Sequence, residues 1–173
     1  MARIEVDGLE LDYELIGPET GQPLVLTPGG RYPRDTAGVP ELGQIFADAG
    51  YRVLLWDRPG CGASDIAFTA PSESVMNCEA LVGLVRALQL KDIVLVGGSA
   101  GSRISLMAAA RMPDNVKKIA VWWLSGGAIG LAGLAGVYCG DQVAAASRGG
   151  MEGVAAPPSR AGQIGKKPRL REL

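Results

Sequence analysis

Short apolar runs separated by helix-like patterns are the feature of this sequence that most restricts its fold. Four such runs end in, or lead into, turn-forming residues: Leu24–Thr27, Val53–Trp56, Ile93–Val96 and Ile119–Leu124. Strands that are apolar on both faces are typical of a parallel sheet covered by helices on both sides. The runs therefore predict an α/β fold built on a parallel sheet.

The segments around these runs predict the remaining elements. Apolar and charged residues alternate on both sides of Asp7-Gly8, which indicates an antiparallel β-hairpin with one solvated face. Helical patterns begin at Pro40, at Ser72 and at about Ser102, and the last of them stops before Pro113. The predicted fold class is thus α/β, with a hairpin leading into a parallel sheet with flanking helices.

Composition and charge exclude several classes of function. The net charge of −1 gives no field that would attract nucleic acid, and the basic segment 159–173 fits a solvated helix face better than a nucleic-acid patch. Three cysteines without a C-x-x-C pair argue against a disulfide framework and a cysteine zinc site. The first residues lack the apolar core of a secretory signal. We therefore expect a cytoplasmic protein without a metal or nucleic-acid partner.

The uncharged tract Ile119–Gly140 raises the alternative of a membrane span, which needs roughly 20 apolar residues. Ser125-Gly126-Gly127 interrupts the tract after its first apolar run, and its many glycines make it less apolar than a typical span. The sequence favours a strand, a loop and a Gly/Ala-rich helix here, and no membrane association.

The segment Gly97-Gly98-Ser99-Ala100-Gly101 matches the pattern G-x-S-x-G between a predicted strand and a predicted helix. In that setting a serine stands on a sharp turn, and the helix N-terminus faces developing negative charge. A phosphate-binding P-loop is excluded because no lysine follows Gly101, and the dinucleotide spacing G-x-G-x-x-G is absent. The remaining alternative is that Ser99 is simply a small turn residue.

With this motif in place, the chain resembles the amino-terminal part of an α/β-hydrolase. The resemblance covers Gly8 to about Ser125 and continues weakly beyond it. It depends on the hairpin, the Pro28-Gly29-Gly30 loop, the turn Asp57–Asp65 (a D-x-x-G-x-G-x-S pattern), and the serine turn. It implies a core at 1–125, incomplete after six strands, and the start of a helical lid at 126–173.

The resemblance also implies roles for individual residues. Ser99 matches the family's nucleophile, and the backbone N–H of Ala100 matches one donor of the oxyanion hole. Gly30 is the better match for the second donor and Gly29 the alternate, since Pro28 has no N–H. A serine nucleophile implies an ester, lactone, thioester or C–C bond of a small acyl or carbonyl substrate, without a cofactor.

The chain departs from the family pattern downstream of Ser99. The family's acid and histidine follow the serine, but this sequence contains no histidine. None of the four downstream carboxylates, Asp114, Asp141, Glu152 and Glu172, carries a catalytic prediction. We therefore expect negligible turnover by these 173 residues, with a non-catalytic relic or binding module as the alternative function.

Several other side chains receive structural rather than catalytic predictions. Arg58 and Asp65 are expected to hold their turn between them, whereas Arg103 either binds a substrate carboxylate or pairs with Asp65. The tryptophans at 56, 122 and 123 are expected to pack in the core or at a sheet edge. An apolar sheet edge that includes Trp122 and Trp123 predicts self-association.

Overall fold

A computed structural model describes residues 2–124 and 128–155, which belong to two compact units, Met1–Ser125 and Gly126–Leu173. The predicted loop at 125–127, the basic segment 159–173 and Glu172 lie outside the described residues. The first unit contains β1 (Ala2–Val6), β2 (Leu9–Ile16), β3 (Gln22–Thr27), α1 (Val39–Asp48), β4 (Tyr51–Trp56), α2 (Glu73–Ala87), β5 (Ile93–Gly98), α3 (Ala100–Arg111) and β6 (Val116–Trp122). The second contains α4 (Ala128–Ala155), which is interrupted at Gly149 and Gly150.

The six strands of the first unit form one mixed sheet in the order β1-β2-β4-β3-β5-β6. β2 pairs antiparallel with both β1 and β4, whereas β4, β3, β5 and β6 run parallel. This topology confirms the predicted α/β class, with a hairpin leading into a parallel sheet. It also brings the carboxyl ends of β3, β4 and β5 to the same edge of the sheet.

The opening hairpin follows from two residues at its turn. Asp7 and Gly8 both have positive φ angles, 50° and 81°, as a two-residue turn that matches the twist of a hairpin requires. The turn sets Val6 opposite Leu9, and the register then continues along both strands. The predicted Asp7-Gly8 hairpin is therefore present.

Side-chain alternation along the central strands explains why their sequences are apolar throughout. In β4, Leu54 and Trp56 point into the core that α2 and α3 cover, whereas Val53 and Leu55 point into the core beside α1. All four side chains are buried. Burial on both faces is thus confirmed for the central strands, and it fixes the carboxyl ends from which the site loops start.

β6 differs from its prediction in both its limits and its burial. The strand begins at Val116 and includes Lys117 and Lys118, which precede the apolar run Ile119–Leu124. It pairs with β5 at the edge of the described sheet, and Ile119 and Trp122 are 40% and 43% exposed. This strand is therefore not buried on both faces as the central runs are, and it forms the exposed apolar edge with Trp122 that the sequence predicted.

Within the two described segments, we find no helix that is long and apolar enough to cross a bilayer.

Candidate active site

Ser99 lies between the last residue of β5 and the first residue of α3. Its backbone angles, φ 53° and ψ −116°, lie in a region that non-glycine residues rarely occupy. Such a conformation persists only where the surroundings hold it, and here the Ser99 N–H donates to the Trp122 carbonyl (3.0 Å). The side chain is half-buried. The structure therefore places Ser99 on the predicted sharp turn and leaves it accessible.

Small residues around Ser99 allow three backbone segments to converge. A methyl group on Gly97 would come within 2.5 Å of the Gly101 carbonyl oxygen, and one on Gly101 would collide with the carbonyl oxygen of Thr27. A methyl group on Gly98 would meet the ring of Trp122 at 2.6 Å. Side chains at these positions would push α3 and the neighbouring strands away from the turn.

The loop after β3 reaches the serine through Gly29. A methyl group on Gly29 would lie 3.0 Å from both Cβ of Ser99 and the carbonyl oxygen of Gly98. Gly30 follows with a φ of 51°, in the left-handed region that favours glycine. Ala100 is the first residue of α3, where helix N–H groups have no partner within the helix. Backbone donors from two segments are thus available near Ser99.

The Asp57 carboxylate organises the turn that follows β4. It accepts hydrogen bonds from the backbone N–H groups of Arg34 (2.7 Å) and Ala63 (2.8 Å). The Ser64 hydroxyl donates to the Asp57 carbonyl at 2.6 Å and accepts from the Asp12 N–H at 2.9 Å. These bonds join the turn to β2 and to the loop after β3, which explains the Asp and Ser of its pattern.

Arg34 extends this network to the antiparallel part of the sheet. Its guanidinium donates to the carboxylates of Asp12 (2.9 Å) and Glu14 (2.8 Å). Burial opposes the charged form, but the hydrogen bond to Asp12 and the nearby carboxylates outweigh it and raise the pKa of Arg34. The loop between β3 and α1 is therefore fastened at Arg34 by both backbone and side chain.

Arg58 is buried, with 1% of its surface exposed, beside the Gly29–Gly30 loop. Its Nη2 donates to the carbonyl oxygens of Gly29 (3.2 Å) and Gly30 (2.5 Å). Nε has no hydrogen-bond partner among the described residues, and burial lowers the pKa of Arg58. Its guanidinium is thus buried directly against the loop that touches Ser99.

Two predicted side-chain pairs are replaced by other contacts. Arg58 does not hold its turn with Asp65, whose carboxylate instead accepts the N–H of Glu10 (3.1 Å). Arg103 donates to the hydroxyl of Ser74 (2.8 Å), which links α3 to α2. These expectations considered partners near in sequence or opposite in charge, whereas the structure supplies carbonyl and hydroxyl acceptors from other segments.

Sequence reasoning did not identify Asp57, Arg34 or Ser102 as supports of the site. The Ser102 hydroxyl lies within hydrogen-bond distance of the carbonyls of Gly97 (2.9 Å) and Trp122 (2.7 Å), which share its one proton, and this fastens the start of α3 to the ends of β5 and β6. Asp57 could have been found, because it is the first residue of the D-x-x-G-x-G-x-S pattern. Arg34 and Ser102 carry no such local signal.

Nothing in the described part of the chain suggests a metal site, since no three Cys, Asp or Glu side chains gather where they could hold an ion. The arrangement offers a serine hydroxyl, backbone N–H donors and a buried guanidinium. That set suits chemistry at a carbonyl group.

Comparison with protein families gives one description that fits this arrangement. Residues 23–121 match the model of a family described by the alpha/beta hydrolase fold. The matched stretch includes nearly all of β3 and of β6 and everything between them, and therefore Gly29, Gly30, Arg58 and Ser99.

Curated relatives include a 2-hydroxy-6-oxononadienedioate/2-hydroxy-6-oxononatrienedioate hydrolase from Burkholderia vietnamiensis. It is 34% identical over 126 residues, which is 72% of this chain and 43% of that protein. The mouse serine hydrolase BPHL is 30% identical over 70% of this chain and 42% of its own length. This chain thus spans less than half of the length of these relatives.

Solved structures with a similar fold include an esterase from Exiguobacterium antarcticum, with a TM-score of 0.61 and 26% identity over 69% of this chain and 43% of that one. A putative epoxide hydrolase from Klebsiella pneumoniae has a TM-score of 0.65 and 22% identity, over 98% of this chain and 55% of its own. The likeness to the second concerns the fold alone.

Proposed function

The chain belongs to the α/β-hydrolase family, of whose fold it forms the amino-terminal portion, and from this premise we propose that it carries the nucleophile of a serine hydrolase. Ser99 is the proposed nucleophile, and the N–H groups of Ala100 and Gly30 are the proposed oxyanion donors. The substrate is a small acyl or carbonyl compound: an ester, a lactone, a thioester or a C–C bond beside a carbonyl. No metal or cofactor is needed for this reaction.

In the proposed reaction the Ser99 oxygen forms a bond to the carbonyl carbon, and the hydroxyl proton passes to a base. The carbonyl electron pair moves onto its oxygen, where the N–H donors stabilise the negative charge. Collapse of this intermediate breaks the bond to the leaving group, which takes up a proton. Water then releases the acyl group from Ser99 and restores the hydroxyl.

The observation that carries this proposal is the strained backbone of Ser99 with Gly29 in contact with it. Other turn residues of this chain, Asp7 among them, also have a positive φ, but the ψ of −116° places Ser99 outside the left-handed helical region that non-glycine residues tolerate. Such a conformation persists only where the surrounding structure holds it. Ser99 keeps this conformation while its side chain remains accessible. The nearby N–H donors can stabilise the negative charge that forms when this hydroxyl attacks a carbonyl group.

The general base of the proposed reaction lies outside this chain. The sequence contains no histidine, and in this family an imidazole activates the serine.

We propose that residues 126–173 begin a helical lid, which the long helix α4 supports. The absence of histidine also favours a second candidate, a relic that binds carbonyl compounds without turning them over.

Stoichiometric acylation by 4-nitrophenyl acetate at alkaline pH tests the nucleophile without a protein base. We expect one acetyl group on Ser99, located by peptide mass spectrometry, because hydroxide can take the proton. Turnover should be negligible, since the loss of a general base costs about 10²–10⁴-fold in rate. Ser99→Ala should abolish acetylation at this site.

Ser105→Ala is the matched control, because it removes a buried hydroxyl from the same helix. This variant should acylate at the wild-type rate. A wild-type chain that never acylates at Ser99 would contradict the hydrolase proposal, and if it still binds a carbonyl ligand, it would favour the relic. Repeated turnover that Ser99→Ala abolishes would contradict the placement of the base outside this chain.

A further inference from the structure

The acceptors of Arg58 are unusual for a buried guanidinium. The carboxylates of Glu73 and Asp57 favour its charge through space, whereas its side-chain hydrogen bonds go to the backbone carbonyls of Gly29 and Gly30. A smaller apolar residue would fill the same turn without the cost of burying a charge. The position of Arg58 therefore calls for an explanation beyond packing.

Peptide geometry connects those two carbonyls to two specific N–H groups. The Gly29 carbonyl shares its peptide unit with the Gly30 N–H, and the Gly30 carbonyl shares its unit with the Arg31 N–H. In a trans peptide the carbonyl and the N–H point in opposite directions, and the chain contains no cis bond among its described residues. A guanidinium that holds the carbonyls on one side therefore turns the N–H groups toward the other.

Hydrogen bonding at a carbonyl also makes the N–H of the same peptide a stronger donor, because the bonds polarise one another. The effect is larger when the donor is charged, and the surroundings of Arg58 are dry. The Gly29–Gly30 peptide is thus both fixed and polarised, next to the glycine that touches Ser99.

We propose that Arg58 is a positioning residue of the oxyanion hole, which orients and polarises the Gly29–Gly30 peptide so that the Gly30 N–H, not that of Gly29, receives the oxyanion. The inference depends on the proposed function, since it gives Arg58 a role in stabilising the charge that attack by Ser99 creates. Arg58 does not touch the substrate; it acts through the loop.

The first test observes the peptide directly, on the full chain labelled with ¹⁵N. In Arg58→Met, the amide proton resonances of Gly30 and Arg31 should move upfield, because their peptides lose the charged donor. The Gly29 amide is an internal control, since its peptide carbonyl belongs to Pro28, which Arg58 does not contact. Equal shifts at all three amides would overturn the proposal.

The second test measures the rate of Ser99 acylation by 4-nitrophenyl acetate. Removing an oxyanion donor outright costs about 10²–10³-fold, so losing its support in Arg58→Met should slow the maximal rate by about tenfold or more. The half-saturating ester concentration should change by less than about twofold, because the donor acts on the transition state. Wild-type acylation by Arg58→Met would overturn the proposal.

Two further variants make the result specific. Arg86→Met is the control: it removes an exposed guanidinium from α2, outside this loop, and it should acylate at the wild-type rate. Arg58→Lys keeps the charge but lacks the planar fork, so its rate should fall severalfold. If Arg58→Met does not fold, the acylation rate of Arg58→Lys becomes the test of the proposal. A wild-type rate in Arg58→Lys would overturn the proposal. If wild-type Ser99 is not acylated, the proposed function fails, while the amide shifts still test Arg58.

Discussion

At the scale of single residues, Gly101 shows how closely the segments around Ser99 approach one another. The Cα of Gly101 faces the carbonyl oxygen of Thr27, at the end of the neighbouring strand β3. Neither group can move easily, because one begins a helix and the other ends a buried central strand. The requirement for glycine here comes from contact between segments, since the φ of Gly101 is not in the left-handed region.

Gly101→Ala should therefore destabilise the first unit, although alanine is the better helix former. Overpacking a closely packed interior costs about 1–3 kcal/mol, and backbone atoms on both sides leave little room for relief. Urea denaturation followed by tryptophan fluorescence, to which the buried Trp56 contributes, measures the change in the free energy of unfolding.

The same substitution at Gly133 is the control, because a methyl group there would have no neighbour within 4 Å. Gly133→Ala should leave α4 unchanged or stabilise it by up to about 1 kcal/mol through helix propensity alone. A Gly101→Ala variant as stable as wild type would show that the contact with Thr27 can open without cost.

At the scale of elements, α2 illustrates a helix whose start was predictable. Ser72 has an extended backbone, and its hydroxyl accepts the Val75 N–H at 3.3 Å. We expect Ser72→Ala to destabilise the chain by about 0.5–2 kcal/mol, because the first turn loses a partner for one of its free N–H groups. Thermal and urea denaturation followed by circular dichroism would measure this loss.

Ser72→Asp keeps a cap acceptor and adds a favourable charge at the helix N-terminus, so its stability should stay close to that of wild type. If Ser72→Ala and Ser72→Asp lose equal stability, the hydroxyl would matter for some contact other than the cap.

Local patterns predicted these elements because local physics determines them. Residues adjacent in the sequence determine the Asp7-Gly8 turn. The same holds for the apolar runs that form β3, β4 and β5. β6 was predicted too late in the chain because its first residues include Lys117 and Lys118, which an apolar run excludes. The edge position of β6 was predicted, whereas its start was not, because a strand at an exposed edge can carry charged side chains.

The candidate site was predictable in its motif but not in its supports. Ser99 and the glycines around it form a local pattern that needs only a strand before it and a helix after it. The contacts of Arg58 with Gly30 and of Arg34 with Asp57 join segments more than 20 residues apart. Many buried acceptors compete for an arginine, and the sequence alone does not say which one the fold brings near.

At the scale of the whole molecule, the exposed side of β6 bears on the state of the chain in solution. Trp123 and Leu124, just after the strand, are 82% and 65% exposed. An open strand edge beside exposed apolar side chains favours pairing with another chain. We therefore predict that the chain self-associates, and that its mass by light scattering rises with concentration and falls in Trp123→Asn.

Phe68→Asn is the control, because Phe68 is 79% exposed and belongs to the loop between β4 and α2 rather than to the sheet. It should leave the association unchanged. A stable monomer that unfolds cooperatively and binds no hydrophobic dye would contradict the prediction, since it would show that the apolar surface beside β6 is covered within one chain.

The strand order has a consequence for how the molecule comes to be made. β3 lies between β4 and β5, and its pairing sets Leu24 beside Val94, residues far apart in the chain. A chain emerging from the ribosome therefore holds β3 with one side unpaired until β5 has been synthesised. Pairing strands so far apart in the chain is slow. Until β5 pairs with β3, the apolar central strands can aggregate or pair wrongly. The same central position that later shields the strands leaves the nascent chain with an exposed apolar strand until synthesis reaches β5.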